Sequence, residues 1–274
     1  MKLLDDTTPE ARRVLIDGFR RMSVARRCEI MEDSYRTARI LHEMGYRQRH
    51  PNATCESVRA DWAALTLGSL VSSCPERGGT AVDPQSLSNL PIIREVMSKF
   101  QHLGIPCALG GSWASSLYGV PRLTHDADLT SAPFPGRAAE FVAQFGLEYY
   151  VSQTAVESAV AERSTFNIIQ TLTNFKIDVF IQKSRPFDVS VLQRRTPVSQ
   201  PGLAGEPLVL IAPEDIILHK LEWFRLGGEI SDKQWGDILG VLRVQADRLD
   251  AAYLDQWAAE LGVADLLAQA REQV

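Results

Sequence analysis

Apolar positions in residues 8–70 recur at three- and four-residue intervals, which predicts helices. Thr8-Pro9-Glu10 reads as an N-cap with proline at the first helical position, followed by Val14, Leu15, Phe19 and Met22 at helical spacing. Ser23 restarts the pattern through Ile30, Met31, Ala38, Ile40, Leu41 and Met44, and Gly45 is read as its stop. A third helix is expected between Asn52 and Leu70, carrying Val58, Trp62, Leu65 and Leu67. The pattern then lapses. Residues 72–90 are rich in Ser, Pro and Gly, so they are the expected linker and domain boundary, although Leu87 and Leu90 could dock.

From Pro91 the pattern alternates between periods. PIIREVMSKFQHLG predicts a helix with Ile92, Ile93, Val96, Met97 and Phe100 on one side, ended by Gly104. IPCALGG predicts a short buried strand, SWASSLYG a small-residue helix, and RLTHDADLT a strand. A helix over 136–146 follows, then three extended segments, LEYYVS, TFNIIQTL and FKIDVFIQ. Arg185 to Gly205 reads as loop and PLVLIA as a strand. Pro213-Glu214-Asp215 opens a helix ended by Gly227-Gly228, and Ser231-Asp232 caps another. The tail holds two more amphipathic helices, with Tyr253, Leu254 and Trp257, then Val263, Leu266 and Leu267. No internal repeat is visible. The expected domains are a helical unit over 1–72, a linker over 73–90, a mixed core over 91–212 and a helical region over 213–274.

Composition changes this picture little. A hydrophobic content of 45% with 23% charged residues suits a soluble globular protein. No apolar run approaches the roughly 20 residues that span a bilayer, and MKLLDDTTPEARR has no apolar segment of a secretory signal. The cysteines (28, 55, 74 and 107) share no metal-ligand spacing, so reduced thiols in a cytoplasm are expected. Charge adds more. Residues 1–60 are net +3 and rich in arginine, while the remainder is net −8. Such a basic segment suits RNA or an acidic partner; the alternative is a solvated helical face paired to its own acids.

The candidate chemistry gathers around 107–129, CALGGSWASSLYGVPRLTHDADL. Strand side chains alternate, so Asp126 and Asp128 share a face while Ala127 and Leu129 face a core. Adjacent carboxylates repel and are costly to desolvate without a cation, and hard oxygen ligands suit Mg²⁺. The Gly110-Gly111-Ser112 turn ahead of a helix offers backbone N–H groups to phosphate. In FKIDVFIQ, Asp178 sits mid-strand on a half-polar face with Lys176 and Phe180, and joining Asp126 and Asp128 around a metal would give it a partner. Arg122, four residues before Asp126, could reach phosphate or be a surface charge. His125 is read as structural, His50 before Pro51 as a turn residue, and Asp232, Lys233 and Asp237 as a capping and salt-bridge set.

The arrangement G-G-S, thirteen residues, D-A-D-L, and a later K-I-D-V resembles the nucleotidyltransferase superfamily that includes DNA polymerase beta. GGSWASSLYGVPRLTHDADL resembles its aminoglycoside nucleotidyltransferase and abortive-infection toxin branch. IAPEDIILHKLEWFRLGGEISDKQWGDILGVL resembles the helical region following the core in minimal nucleotidyltransferase-like proteins. The resemblance covers about 90–270 and implies an α+β fold, a small mixed sheet with flanking helices. It implies transfer of NMP from an NTP such as ATP to an acceptor: RNA or tRNA, a protein, or a small hydroxylated molecule. A toxin role in a toxin–antitoxin or phage-defence system would follow if tRNA were the target. Asp126 and Asp128 would hold two Mg²⁺ ions, and Asp178 would ligate one and act as general base. Gly110, Gly111 and Ser112 would contact phosphate, and Lys220 would neutralise triphosphate unless it lies on a solvated helix face. The alternative is a catalytically silent fold that binds a nucleotide or a partner.

Overall fold

A computed structural model of the chain describes residues 7–21, 23–67, 89–198 and 207–274, so the expected linker lies almost wholly outside the described residues. Helices α1 (Pro9–Arg21), α2 (Val24–Arg49) and α3 (Cys55–Leu67) come first. Then follow α4 (Asn89–His102), β1 (Cys107–Leu109), α5 (Gly111–Tyr118), β2 (Asp126–Ser131), α6 (Ala138–Val142), β3 (Tyr149–Val151) and α7 (Gln153–Glu162). The order continues with β4 (Thr165–Gln170), β5 (Phe175–Ile181), α8 (Pro186–Gln193), β6 (Thr196–Val198) and β7 (Leu208–Leu210). It closes with α9 (Pro213–Leu226), α10 (Asp232–Gln245), α11 (Ala251–Glu260) and α12 (Ala264–Arg271).

The chain is α+β. Seven strands form one mixed sheet in the order β3-β4-β5-β2-β1-β7-β6. β2 runs parallel to β5 and β1 parallel to β7, whereas the other neighbours are antiparallel. The apolar face carries Leu109, Ala127, Leu129, Phe166, Ile168, Ile177 and Val179, all at most 1% exposed. Phe100, Phe134 and Phe141 stack against one another and Phe166 in that core. Ile40, Leu41 and Met44 of α2 join the same cluster, as do Leu254, Leu266 and Leu267 near the C-terminus.

Local signals explain the boundaries. Thr8 caps α1, its Oγ1 accepting the Ala11 N–H at 3.2 Å, and Ser231 caps α10 by accepting the Gln234 N–H at 3.4 Å. Two expectations fail. Gly45 does not stop α2, which continues to Arg49; a Cβ there would overlap the Leu117 carbonyl oxygen, so this glycine lets α2 lie against α5. Arg185 to Gly205 is not all loop, since Pro186 occupies the first turn of α8, which buries Phe187, Val191 and Leu192, and β6 follows. The segment between LEYYVS and TFNIIQTL forms α7, capped by Ser152 and burying Val156, Ala159 and Val160. The helix expected over 136–146 is confined to Ala138–Val142.

Candidate active site

The acidic strand and the glycine turn are fastened to each other. The Gly110 N–H donates to the Asp128 carbonyl at 2.8 Å, and the Trp113 indole N–H donates to the Asp126 carbonyl at 2.9 Å. Asp126 and Asp128 are half-buried and alternate with fully buried Ala127 and Leu129, as the period of the strand requires. Gly111 has φ +52°, and a Cβ on it would overlap the Asp128 carboxylate. Only glycine therefore lets that carboxylate reach the start of α5, where first-turn amides lack intrahelical partners and the helix dipole favours an anion. Gly110 precedes the helix with no side-chain cap. Thr124 Oγ1 donates to Asp126 Oδ1 at 2.7 Å and orients that carboxylate.

Two cations expected at phosphate are gathered by one acid. Arg122 Nε and Nη2 donate to the two oxygens of Asp237 at 2.8 and 3.0 Å. Its Nη2 also reaches Ser112 Oγ at 2.5 Å. Lys220 Nζ donates to Asp237 Oδ2 at 2.7 Å and to Gln234 Oε1 at 3.1 Å. Lys220 is buried rather than on a solvated face, and Asp237 is buried with it. Burial alone would raise the Asp237 carboxyl; the Arg122 hydrogen bonds and the Lys220 charge outweigh it and hold the group below the usual carboxylate range. Burial opposes the Arg122 charge too, but Asp237, then Asp126 and Asp128, more than offset it, so the guanidinium stays charged beside the acidic pair. Asp237 is thus a salt-bridge residue, as the sequence suggests, but its partners Arg122 and Lys220 lie outside its own helix. Asp232 and Lys233 stay exposed at the start of α10, while Asp237 turns inward.

Asp178 stands in register with Asp128 across the parallel β2–β5 pair, on the same face. It is fully buried. Asn167 Nδ2 donates to its Oδ1 at 2.7 Å, and Lys176 Nζ pairs with its Oδ2 at 2.6 Å. Lys176 lies directly opposite Asp126 on the neighbouring strand. Asn167 and Lys176 in turn touch the start of α1: the Thr8 N–H donates to Asn167 Oδ1 at 3.1 Å, and Lys176 Nζ donates to Thr7 Oγ1 at 3.0 Å. Neither Asn167 nor the ion-pair role of Lys176 was expected. The available signal was Lys176 two residues before Asp178, hence on its face.

These contacts decide how a metal would fit. Asp126 and Asp128 offer adjacent hard oxygen donors of the kind Mg²⁺ takes. Among the described residues, however, no three His, Cys, Asp or Glu side chains are grouped so as to hold a metal ion. Asp178, expected as the third ligand, is held by Lys176 and Asn167.

Other candidates resolve simply. His125 is exposed and its Nδ1 meets Ser34 Oγ of α2 at 3.0 Å. His50 sits just past α2, its ring 4.6 Å from that of Tyr46. Several N-terminal arginines pair with acids on their own helix, Arg20 with Asp17, Arg36 with Asp33 and Arg47 with Glu43. Cys107 is buried and Cys55 exposed, both free. No helix among the described residues is long and apolar enough to cross a membrane.

No family model matches the chain, and no curated protein matches its sequence. Solved structures do. The chain is similar to a crystal structure of ANT(2″)-Ia in complex with adenylyl-2″-tobramycin, with 18% identity, 63% of this chain and 96% of that chain covered, and a TM-score of 0.41. A solution structure of the antibiotic-resistance factor ANT(2″)-Ia matches at 14% identity, covering 68% and 97%, with a TM-score of 0.39. An antigenic nucleotidyltransferase-like protein from Paracoccidioides brasiliensis matches at 18% identity, covering 66% and 91%, with a TM-score of 0.39.

Proposed function

We propose that the chain is an Mg²⁺-dependent nucleotidyltransferase that moves NMP from an NTP to a hydroxyl-bearing acceptor. One observation carries the reading. Asp126 and Asp128 share a face of β2 against the Gly110–Ser112 turn, with Arg122 bridging from Asp237 to Ser112. The turn's amides and the Ser112 hydroxyl would receive phosphate oxygens. Arg122 and Lys220, held in place by Asp237, would neutralise charge that accumulates as pyrophosphate leaves. Asp126 and Asp128 would hold Mg²⁺, which when bound supplies neutralisation of the phosphates and lowers the pKa of a coordinated oxygen. Asp178 would take the acceptor's proton once released from Lys176. The acceptor would be RNA, a protein or a small hydroxylated molecule, and a toxin role follows only if it is tRNA. Incubating the protein with Mg²⁺, each labelled NTP and a cell extract, then sorting products into RNA, protein and small molecules, tests the reading. No label in any fraction sinks it.

A second reading is favoured by one observation, the saturation of Asp178 by Lys176 and Asn167. On that reading the fold binds a nucleotide or a partner without transfer. Calorimetric titration with Mg²⁺ and NTP on wild type and Asp126→Ala separates the two, because a silent fold shows no metal-dependent NTP binding, or binding indifferent to the substitution.

A further inference from the structure

The polar face of the sheet has an occupant made of the chain itself. α1 packs against β4 on the side where Asn167 and Asp178 project. Thr7 and Thr8 each hold one of the two side chains that hold Asp178, through Lys176 and Asn167 respectively. Further along, the Leu15 carbonyl accepts a hydrogen bond from Asn174 Nδ2 at 2.9 Å, and Gly18 lies so close that a Cβ would overlap the Asn174 side chain. Beneath this stretch Ala11 is 1% exposed and Ile169 is fully buried, although neither belongs to the main hydrophobic cluster. Ile169 follows Asn167 by two residues on β4 and so shares its face.

The attachment is of a particular kind. It consists mostly of side-chain hydrogen bonds, and the apolar anchors are small or partial: Ala11 is the one fully buried residue among the described α1 side chains, Val14 and Leu15 are half-buried, and Ile16 is 43% exposed. Among the described α1 side chains this apolar burial is small, and a helix so held opens at lower cost than the sheet beneath it. A hydroxyl, that of Thr7, also sits against the Lys176–Asp178 ion pair, the place an acceptor's hydroxyl would need.

We propose that α1 is a displaceable, self-inhibiting cover over the acceptor half of the site. In the closed state Thr7 stands where the acceptor hydroxyl would bind, and Asp178 is sealed from solvent. Opening removes the Thr7 and Thr8 contacts and exposes Lys176, Asn167 and Asp178 to a hydroxylated acceptor. What is inhibited rests on the nucleotidyl-transfer reading; that α1 opens does not.

The test uses the full chain in a Cys55→Ser background with Ile169→Cys as a reporter, its thiol alkylation followed by mass spectrometry of the peptide containing position 169. Ala11→Arg, which cannot fit a long charged side chain under α1, should speed alkylation at least about tenfold. Thr7→Val, which removes only the hydroxyl, should give a smaller rise. Transfer of label from NTP in cell extract, measured with Ile169 intact, should rise in the same order. Alkylation unchanged in both variants overturns the proposal, and so does faster alkylation without faster transfer where the unsubstituted chain transfers label. Should Ala11→Arg lower the melting temperature of the whole chain, the Thr7→Val alkylation rate decides alone. Faster alkylation with no transfer by any variant supports the cover and sinks nucleotidyl transfer.

Discussion

The two halves of the candidate site solve the same problem in opposite ways. On the phosphate side an acid, Asp237, is brought in from α10 to hold two cations, Arg122 and Lys220, near the glycine turn. On the acceptor side a cation, Lys176, holds an acid, Asp178, on the same strand. Both pairs keep buried charge tolerable without a ligand, because an isolated charge in a low dielectric would cost far more than a matched pair. The difference lies in what closes each half. Asp237 belongs to a helix with Ile238 and Val241 wholly buried in the main core, whereas the residues over Asp178 begin the lightly anchored α1. On the proposed reading, the phosphate side stays in place and the acceptor side is uncovered when α1 opens.

The strongest way to break this comparison is at the acidic strand. Asp128→Ala should lower nucleotidyl transfer on the order of a thousandfold while leaving the melting temperature near wild type, since the side chain is half-buried and faces the site. Equal loss of stability and activity would place Asp128 in the scaffold instead. Next comes Asp237→Ala. It strips both Arg122 and Lys220 of their shared partner, and stability measured by denaturant should fall by about 3–5 kcal/mol. A cost no larger than a surface substitution would show that the cations find other partners, and the phosphate side would then be as loose as the acceptor side.

Asp215 provides a contrast, a buried carboxylate whose cation, Arg194, stands at 3.6 Å rather than in hydrogen-bond contact. Burial pushes its carboxyl up to about 6, against the Tyr253 hydrogen bond and the Arg194 charge. Tyr253 donates to one oxygen at 2.6 Å, and Arg194 Nε remains 3.6 Å from the other. Because the folded state holds this proton more tightly than the unfolded chain, the group weakens the fold as pH rises from about 4 to about 6. Asp215→Asn should therefore gain stability relative to wild type across that window, by about 2–3 kcal/mol at most. Denaturant melts at pH 4 and pH 7 check it; a difference independent of pH would refute the assignment. The smallest effect is expected at Gly111→Ala. The left-handed backbone alone costs about 1–2 kcal/mol, and displacement of the Asp128 carboxylate should weaken metal-dependent NTP binding by more than that stability loss. Titration calorimetry beside a thermal melt measures both.

Which parts could be read in advance follows from the range of the interactions. The shared facing of Asp126 and Asp128, the turn at Gly110–Ser112 and the polar side of FKIDVFIQ are local, and the period of a strand suffices for them. The caps at Thr8 and Ser231 are equally local. Asn167 against Asp178 depends on strand register, and Asp237 on how α10 meets α5 and α9, so neither leaves a mark in nearby residues. Gly45 reads as a helix stop by its own propensity, yet its use is a contact with Leu117. Same-helix pairs such as Arg47 with Glu43 are legible too, because the two residues stand four positions apart.

The pairing of β2 with β5 has a consequence for how the molecule comes into being. Asp128 and Asp178 are neighbours in the sheet but fifty positions apart in the chain. α6, β3, α7 and β4 all lie between them. A ribosome releases the first carboxylates well before the third, and this parallel contact must wait for a long intervening segment to form. A growing chain thus carries Asp126 and Asp128 without Asp178. Chains interrupted before Ile181 would lack the complete β5 strand that aligns the two halves, so premature termination should yield inert fragments rather than an unregulated enzyme.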